Sequence, residues 1–230
     1  MITALPEKPR VLVLYYSFSG QTIGLLHKFT DGLRFRGVEV VIERLRPVQP
    51  LRFPVGTLAA TIRMMMATCF RPRVDIEELS PESHGRFDLV VVAGPTWSYN
   101  PSGPILAFLD RDGQNLLAGR KVLPVISCRG YWRWHWFGLR RKLRACHADI
   151  ANLMVFTHPQ PEPWRTLGVF LKIAGKAPER SSFLKKWYSR FGHGRDQQEE
   201  AWKFGLDVGN ALLRGEDLAV LEFRSPTAMP

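Results

Sequence analysis

Short, uninterrupted apolar runs alternate along the chain with segments of helical periodicity. The apolar runs predict strands of a parallel sheet, because strands covered on both faces lose the alternation of apolar and polar residues. They span residues 10–16, 38–45, 87–93, 121–127 and 150–157. Apolar residues at helical spacing predict helices over 20–35, 103–111, 135–147 and 196–214. Pro124, inside the fourth run, predicts a bulge or an edge strand at that point.

The alternation of strands and helices predicts an α/β fold with a doubly wound, five-stranded parallel sheet in the order 2-1-3-4-5. We expect one domain over residues 1–230, with two long insertions at about 46–86 and 158–195. The first insertion has apolar residues at helical spacing over 57–70. Its methionines at 64–66 predict either core filling or a pliable wall for an apolar substrate.

The positive charge is concentrated in one segment. The whole chain has a formal net charge of +11, and residues 129–195 alone carry 14 Lys/Arg against 3 Asp/Glu. The segment mixes these cations with aromatic residues, a pattern compatible with an anionic membrane surface, a phosphate-bearing substrate or nucleic acid. Nucleic acid ranks last, because no known binding motif accompanies the charge. The structural alternative is a basic lid that is packed by its own aromatic side chains.

Composition and residue spacing indicate the cellular compartment and whether a metal site is expected. The sequence contains no run of eighteen apolar residues, which argues against a membrane span. The first ten residues lack the apolar stretch of a signal peptide. Cys69, Cys128 and Cys146 form no CxxC pair, which indicates free thiols in a reducing compartment. We therefore expect a cytoplasmic protein, with peripheral membrane contact through residues 129–195 as an option. The histidines show no metal-ligand spacing, so we expect no metal site.

The strongest chemical signal follows the first strand and opens the first helix. It consists of Ser17, Phe18, Ser19, Gly20, Gln21 and Thr22. Hydroxyl groups, the N–H groups of a helix N-terminus and a glycine that allows close approach are what a phosphate requires. Neither GxxxxGK[ST] nor GxGxxG is present. The structural alternative is an ordinary N-capped turn.

Two further loops follow the third and fourth strands, at the same edge of the predicted sheet. They contain Pro95, Thr96, Trp97, Ser98, Tyr99 and Asn100, and Ser127, Cys128, Arg129, Gly130 and Tyr131. Open α/β sheets bind ligands at this edge, and a flat heterocycle needs aromatic or backbone walls with a few polar groups. Trp97 and Tyr99 are candidates for stacking. Cys128 is either a redox thiol or, more commonly for such a position, a small buried residue.

S-x-S-G-x-T after the first strand, with GPTW…NP…P after the third, resembles the flavodoxin and NAD(P)H:quinone reductase superfamily over roughly residues 10–157 and 196–214. The resemblance implies FMN, with its phosphate on residues 17–22 and its isoalloxazine against 95–100 and 127–131. The layout of the insertions is similar to the dialkylresorcinol condensing or aromatising branch, which implies redox tailoring of a lipid-like or polyketide-derived ring. The chain departs from small flavodoxins in lacking a glycine-rich or acidic third loop.

We therefore predict an FMN-dependent oxidoreductase. NAD(P)H or another donor would reduce the flavin, and a small quinone-like or cyclic enone substrate would exchange a hydride with it. Arg129, near the flavin, would favour the anionic reduced form, and Tyr99 and Tyr131 are the other candidate catalytic residues. The alternatives are a non-enzymatic electron carrier and a protein that kept the fold but lost the flavin. The resemblance also implies that a homo-oligomer can form.

Overall fold

The structure is a computed structural model and describes residues 8–188 and 190–224. The described residues form seven strands: β1 Arg10–Tyr15, β2 Glu39–Arg44, β3 Leu89–Trp97, β4 Asn100–Pro101, β5 Lys121–Cys128, β6 Asp149–Ile150 and β7 Met154–Thr157. They also form seven α-helices: α1 Gln21–Phe35, α2 Leu58–Cys69, α3 Gly103–Arg111, α4 Gly113–Leu117, α5 Trp132–Ala145, α6 Trp164–Ile173 and α7 Arg195–Arg214. The short turns at Pro81–His84, Pro178–Arg180, Leu184–Lys186 and Leu218–Val220 are 3₁₀ helices.

The sheet has the predicted fold class and order. Its order is β2-β1-β3-β5, with β6 and β7 both pairing with the far side of β5, and these pairings are parallel. The predicted order 2-1-3-4-5 is thereby confirmed, with the predicted fifth strand present as two short pieces. β4 was not predicted. It forms a two-residue antiparallel hairpin with the end of β3, too short to leave a periodic pattern in the sequence.

Pro124 coincides with the break between β6 and β7. β5 pairs with β3 on one side without interruption, through Val92 and Pro124. On its other side it pairs with β6 up to Val122 and with β7 from Val125 onward. The register shifts by one residue across this gap, so the irregularity lies in the neighbouring strand and not in β5, where the bulge was predicted. The edge-strand alternative is wrong, because β5 has neighbours on both sides.

Helices cover both faces of the sheet, as a doubly wound fold requires. Each face of the sheet packs against its own hydrophobic core cluster. Successive fully buried residues of β1 alternate between the two clusters, with Val11 and Val13 in the first and Leu12 and Leu14 in the second. The first cluster includes side chains of α1 and α7, and the second includes side chains of α3, α4 and α5. Burial on both faces explains why the strands read as continuous apolar runs.

The two insertions meet each other near the carboxyl ends of the strands. The first carries α2 and the second carries α6. The Val55 N–H donates a 2.8 Å hydrogen bond to the Ile173 carbonyl at the end of α6, which joins the insertions directly. Trp164, at the start of α6, stacks on Trp187 with ring centroids 5.5 Å apart. The second insertion is therefore held in part by its own aromatic side chains.

Candidate functional site

A cavity opens at the carboxyl edge of the sheet, where β1, β3 and β5 end. Its empty volume is about 920 Å³, a figure that includes open solvent at the mouth. Residues of all three predicted loops line it: Phe18, Ser19, Gln21, Thr22, Pro95, Thr96, Trp97, Ser98, Tyr99, Ser127, Cys128, Arg129 and Gly130. Both insertions complete the wall. The sheet topology therefore brings together segments that are far apart in sequence.

The loop after β1 presents a row of unpaired amides. Gly20 is the N-cap of α1 and has a left-handed backbone with φ 80°, and no side chain among the described residues caps the helix. Within the described residues, the backbone N–H groups of 18–22 find no protein acceptor. The Ser17 hydroxyl accepts only a long 3.5 Å bond from the Ile23 N–H, so it does not satisfy them. Amides without an acceptor among the described residues, beside the Ser19 and Thr22 side chains, form a donor array of the kind that an anion needs.

Aromatic side chains form the wall next to this array. The Trp97 ring packs edge-on against Tyr16 and Phe18, with centroid distances of 5.7 and 5.8 Å. Tyr99 has a left-handed backbone, lines the cavity and is 44% exposed. Tyr131 does not line the cavity, but its ring packs edge-on against Tyr99 at 5.6 Å. Of the two tyrosines predicted as catalytic candidates, only Tyr99 therefore reaches the cavity.

Asn100, predicted as a ligand contact, instead holds the hairpin. It is buried and outside the cavity wall. Its amide donates to the Ser98 carbonyl at 3.0 Å, and its carbonyl accepts a 2.7 Å hydrogen bond from Arg71 Nε. The Ser98 hydroxyl donates to the Met65 carbonyl at 2.8 Å, which ties the β3–β4 turn to α2. Asn100 therefore acts on the site through the shape of the loop.

The loop after β5 supplies one cation and one inert thiol. Arg129 lines the cavity with its guanidinium over the Phe170 ring at 5.8 Å, and no carboxylate within residues 8–188 and 190–224 lies within salt-bridge distance of it. Burial raises the pKa of Cys128 to about 12, so this side chain stays a neutral thiol near pH 7. Cys128 is thus a small buried residue rather than a reactive thiolate.

Ser127 is held by a buried hydrogen-bond chain that sequence reasoning missed. The Gln197 amide nitrogen donates to the Thr157 carbonyl at 2.6 Å, which turns its oxygen toward His193 Nδ1 at 3.1 Å. An amide oxygen only accepts, so the proton of His193 is assigned to Nδ1. His193 Nε2 then accepts from the Ser127 hydroxyl at 2.8 Å. His193 lies 66 residues from Ser127 in sequence, and no local pattern indicates the contact.

A second buried imidazole holds the loop after β3. The Thr96 hydroxyl lies 2.6 Å from His135 Nδ1. Burial lowers the pKa of His135 to about 3. Burial also lowers the pKa of His193, to about 4, although the hydrogen bond with Gln197 acts in the opposite direction. Both imidazoles are neutral at pH 7. Each fixes a hydroxyl of the cavity wall without adding charge to it.

Acidification is therefore expected to destabilise the protein below neutral pH. Because the pKa values of His135 and His193 in the folded chain lie below the ordinary value of 6.5, the unfolded chain binds protons first as the pH falls. Between pH 7 and 5 each should lower the free energy of unfolding by about 2 kcal/mol. Urea titrations at pH 7, 6 and 5 measure this loss.

The matched variants for this experiment are His193→Gln and His27→Gln. The first removes one buried imidazole and should reduce the loss by about 2 kcal/mol; the rest comes from His135 and from His158, whose pKa burial also lowers. The second replaces an exposed histidine and controls for the His-to-Gln change itself. A wild-type free energy of unfolding that is the same at pH 7 and pH 5 would contradict the assignment of neutral, buried imidazoles.

Several wall residues come from the insertions, and the sequence singled out only part of this group. They are Phe53, Met64, Met65, Thr68, His158, Val169, Ile173 and Phe191. Of the methionines, Met64 and Met65 line the cavity, in agreement with the pliable-wall alternative, whereas Met66 is 61% exposed. His158 directly follows β7 at the ligand-binding edge, and that position is the signal that could have identified it.

Comparison with known proteins supports the fold. No protein-family model matches the chain. A protein assigned as a flavoprotein from Bacteroides eggerthii aligns with 17% identity over 73% of this chain and 99% of its own, at a TM-score of 0.50. The flavodiiron protein of Giardia intestinalis aligns with 15% identity over 89% of this chain and 36% of its own, at a TM-score of 0.51. Together with the parallel sheet and its order, these similarities show that the chain has a flavodoxin-like fold.

In residues 8–188 and 190–224 no helix combines the length and apolar character needed to cross a bilayer. Within the same ranges no cluster of three or more His, Cys, Asp or Glu side chains is placed to hold a metal ion.

Proposed function

We propose that the cavity binds FMN and that the chain is an FMN-dependent oxidoreductase. The observation that carries the proposal is the row of unpaired amides at 18–22, which opens onto a cavity with apolar and aromatic walls. These amides, with the Ser19 and Thr22 hydroxyls, would hold the phosphate. The loops at 95–100 and 127–131 would hold the ring system, with Trp97 and Tyr99 as its aromatic neighbours. The donor array and the walls fit the two ends of FMN.

When bound, FMN supplies hydride transfer, and the chain supplies placement and charge. Arg129 brings to the wall a cation that has no carboxylate within salt-bridge distance in the part of the chain that the structure describes, and it favours negative charge on a neighbouring group. Ser127 and Thr96 offer hydroxyl oxygens whose orientations are set by neutral imidazoles. Tyr99 is the remaining candidate for a proton-bearing side chain at the mouth.

NAD(P)H or another donor would reduce the flavin, and a quinone-like or cyclic enone substrate would reoxidise it. The alternative runs in the opposite direction: a cyclic enone precursor of a dialkylresorcinol ring would give a hydride to oxidised FMN and a proton to solvent, and would become aromatic. The support for an enzyme rather than a carrier is the apolar wall that the insertions add to the cavity. The match to a protein assigned as a flavoprotein is consistent with the flavin.

A paired titration tests the proposal. FMN and riboflavin are titrated into flavin-free protein and followed by visible absorbance and calorimetry. FMN should bind one to one and about a hundredfold or more tighter than riboflavin, because only FMN offers a dianion to the amides. Equal affinities would refute the phosphate site.

The loaded protein is then mixed with NAD(P)H and a quinone, and negligible oxidation of NAD(P)H would favour an electron carrier.

We further propose that the outer face of α5 rests on an anionic membrane surface. Trp134 and Phe137 are 68% and 66% exposed on this face. Arg140, Arg141 and Arg144 continue it and are exposed, and no carboxylate within the described ranges lies within 4.0 Å of their guanidinium groups. Exposed aromatic rings beside arginines are what an interfacial helix needs in order to bind anionic lipid.

Vesicle pelleting tests the membrane contact. The protein should bind vesicles that contain phosphatidylglycerol more strongly than pure phosphatidylcholine vesicles, and salt should weaken the binding. Replacing both Trp134 and Phe137 with alanine should weaken binding about tenfold. Phe35→Ala is the matched control, since this 71% exposed ring lies on α1, on the opposite face of the sheet. Equal binding to both vesicle types would refute the contact.

A further inference from the structure

The two insertions build an apolar wall at one side of the cavity, called here the insertion wall. Its members are Phe53, Met64, Met65, Val169, Ile173 and Phe191. Phe53, in the first insertion, stacks on Phe191 of the second insertion with ring centroids 6.1 Å apart. Its ring also packs edge-on against Phe18, in the loop after β1, at 5.2 Å. The insertion wall is continuous with the loops proposed to hold FMN, and it adds surface suited to a second, apolar ligand.

His158 is a polar side chain in the same wall and has unmet hydrogen-bonding capacity. It lines the cavity and is only 7% exposed. Its ring lies edge-on to Phe191 at 5.8 Å and to His193 at 5.1 Å. Neither of its ring nitrogens has a hydrogen-bond partner among residues 8–188 and 190–224. Nδ1 is fully buried, which leaves Nε2 as the ring nitrogen that a ligand can reach. A buried polar group without a partner costs stability, and in native structures such groups are rare enough to need an explanation.

The surroundings of His158 keep it neutral. Burial is the largest cause that holds its pKa well below the ordinary value, followed by His193, Arg165 and Arg129. A neutral imidazole offers one N–H donor and one acceptor nitrogen. Because the charged neighbours are cations, a ligand cation is disfavoured there. The group that suits the reachable nitrogen is an oxygen, either a carbonyl that accepts from an N–H at Nε2 or a phenolic hydroxyl that donates to Nε2.

We propose that the insertion wall binds a flat apolar ring that carries a carbonyl or phenolic oxygen, and that His158 hydrogen-bonds to this oxygen. The inference rests on the proposed function, since FMN takes the part of the cavity formed by the loops after β1, β3 and β5. It deepens that function by assigning the substrate class to one contact. His158 binds and orients the ring, and the apolar side chains of the wall hold its faces.

A matched pair of ligands tests this assignment. Protein loaded with oxidised FMN is titrated calorimetrically with a dimethylated naphthoquinone and with the corresponding dimethylnaphthalene, which has the same rings but no oxygen. The methyl groups block addition of the exposed Cys69 thiol to the quinone. The wild type should prefer the quinone about five- to tenfold, the size expected for one hydrogen bond. His158→Phe keeps an aromatic ring and should bind both ligands equally, with flavin absorbance unchanged.

Ile173→Ala is the control for the apolar part of the wall. It should weaken both ligands by a similar factor and preserve the preference for the quinone. If His158→Phe keeps the preference, or if neither ligand binds the wild type, the inference is overturned. If the wild type takes up no FMN, the proposed function fails separately. The same titrations on flavin-free protein then decide the role of His158 by the same criterion.

Discussion

Replacing Gly20 with valine is expected to weaken FMN binding about a hundredfold or more, which corresponds to the loss of about two charge-assisted hydrogen bonds. Gly20 has φ 80°, a conformation that a β-branched residue adopts only under strain. No atom lies within 4 Å of the position its side chain would take, so the effect comes from the backbone rather than from a clash. Relief of that strain would change the orientation of the neighbouring amides of 18–22.

Gly37→Val is the matched control for this experiment. Gly37 has φ 82°, also has free space around the added side chain, and follows the opposite end of α1. Both variants should lose similar stability, and only Gly20→Val should lose the cofactor. Calorimetric titration with FMN measures the difference. Binding by Gly20→Val within about threefold of the wild type would remove the loop after β1 from the proposed site.

Replacing Gly32 with alanine is expected to lower the free energy of unfolding by about 3 kcal/mol. Gly32 lies on α1 where this helix crosses α7, and an added Cβ would lie 2.3 Å from the Trp202 carbonyl oxygen and 2.9 Å from the Leu206 nitrogen. Both atoms belong to the backbone, so the overlap is relieved only if the helices separate. The N-terminal ends of α1 and α7 lie beside the amide array and His193, so FMN affinity should fall as well.

Gly24→Ala, on the same helix, is expected to raise the free energy of unfolding. The nearest atom to its added Cβ is Gln198 Nε2 at 3.9 Å, an ordinary contact. Alanine is the better helix former, so this variant should gain about 0.5–1 kcal/mol. Urea unfolding of the two variants beside the wild type measures both changes. Equal stabilities of Gly32→Ala and Gly24→Ala would show that α1 and α7 do not cross this closely.

The sequence was sufficient to predict the sheet and the edge at which the site lies. Residues 11–14 and 89–93 are buried on both faces and therefore stand out as apolar runs. Once a parallel sheet is predicted, the loops at 17–22, 95–100 and 127–131 must come to the same edge. The structure brings members of all three loops to one cavity.

The parts that could not be predicted depend on contacts between distant segments. The hydrogen bond between Ser127 and His193, and the one between Val55 and Ile173, have no local signature. Asn100 shows a related difficulty. A turn residue beside two aromatic residues suggests a ligand contact, whereas its buried partners on α2 and the hairpin give it a structural role. Sequence position indicates that a residue is near the site but not which way its side chain points.

Amide chemical shifts test the central claim, that the amides of 18–22 bind the phosphate of FMN, most directly. Protein labelled with nitrogen-15 is titrated in parallel with FMN and with riboflavin, which lacks the phosphate. The amide signals of 18–22 should shift strongly downfield with FMN and little with riboflavin, while the amides of 127–131 should respond to both. If the signals of 18–22 respond to FMN no more than to riboflavin, the phosphate does not bind at this loop and the account is wrong.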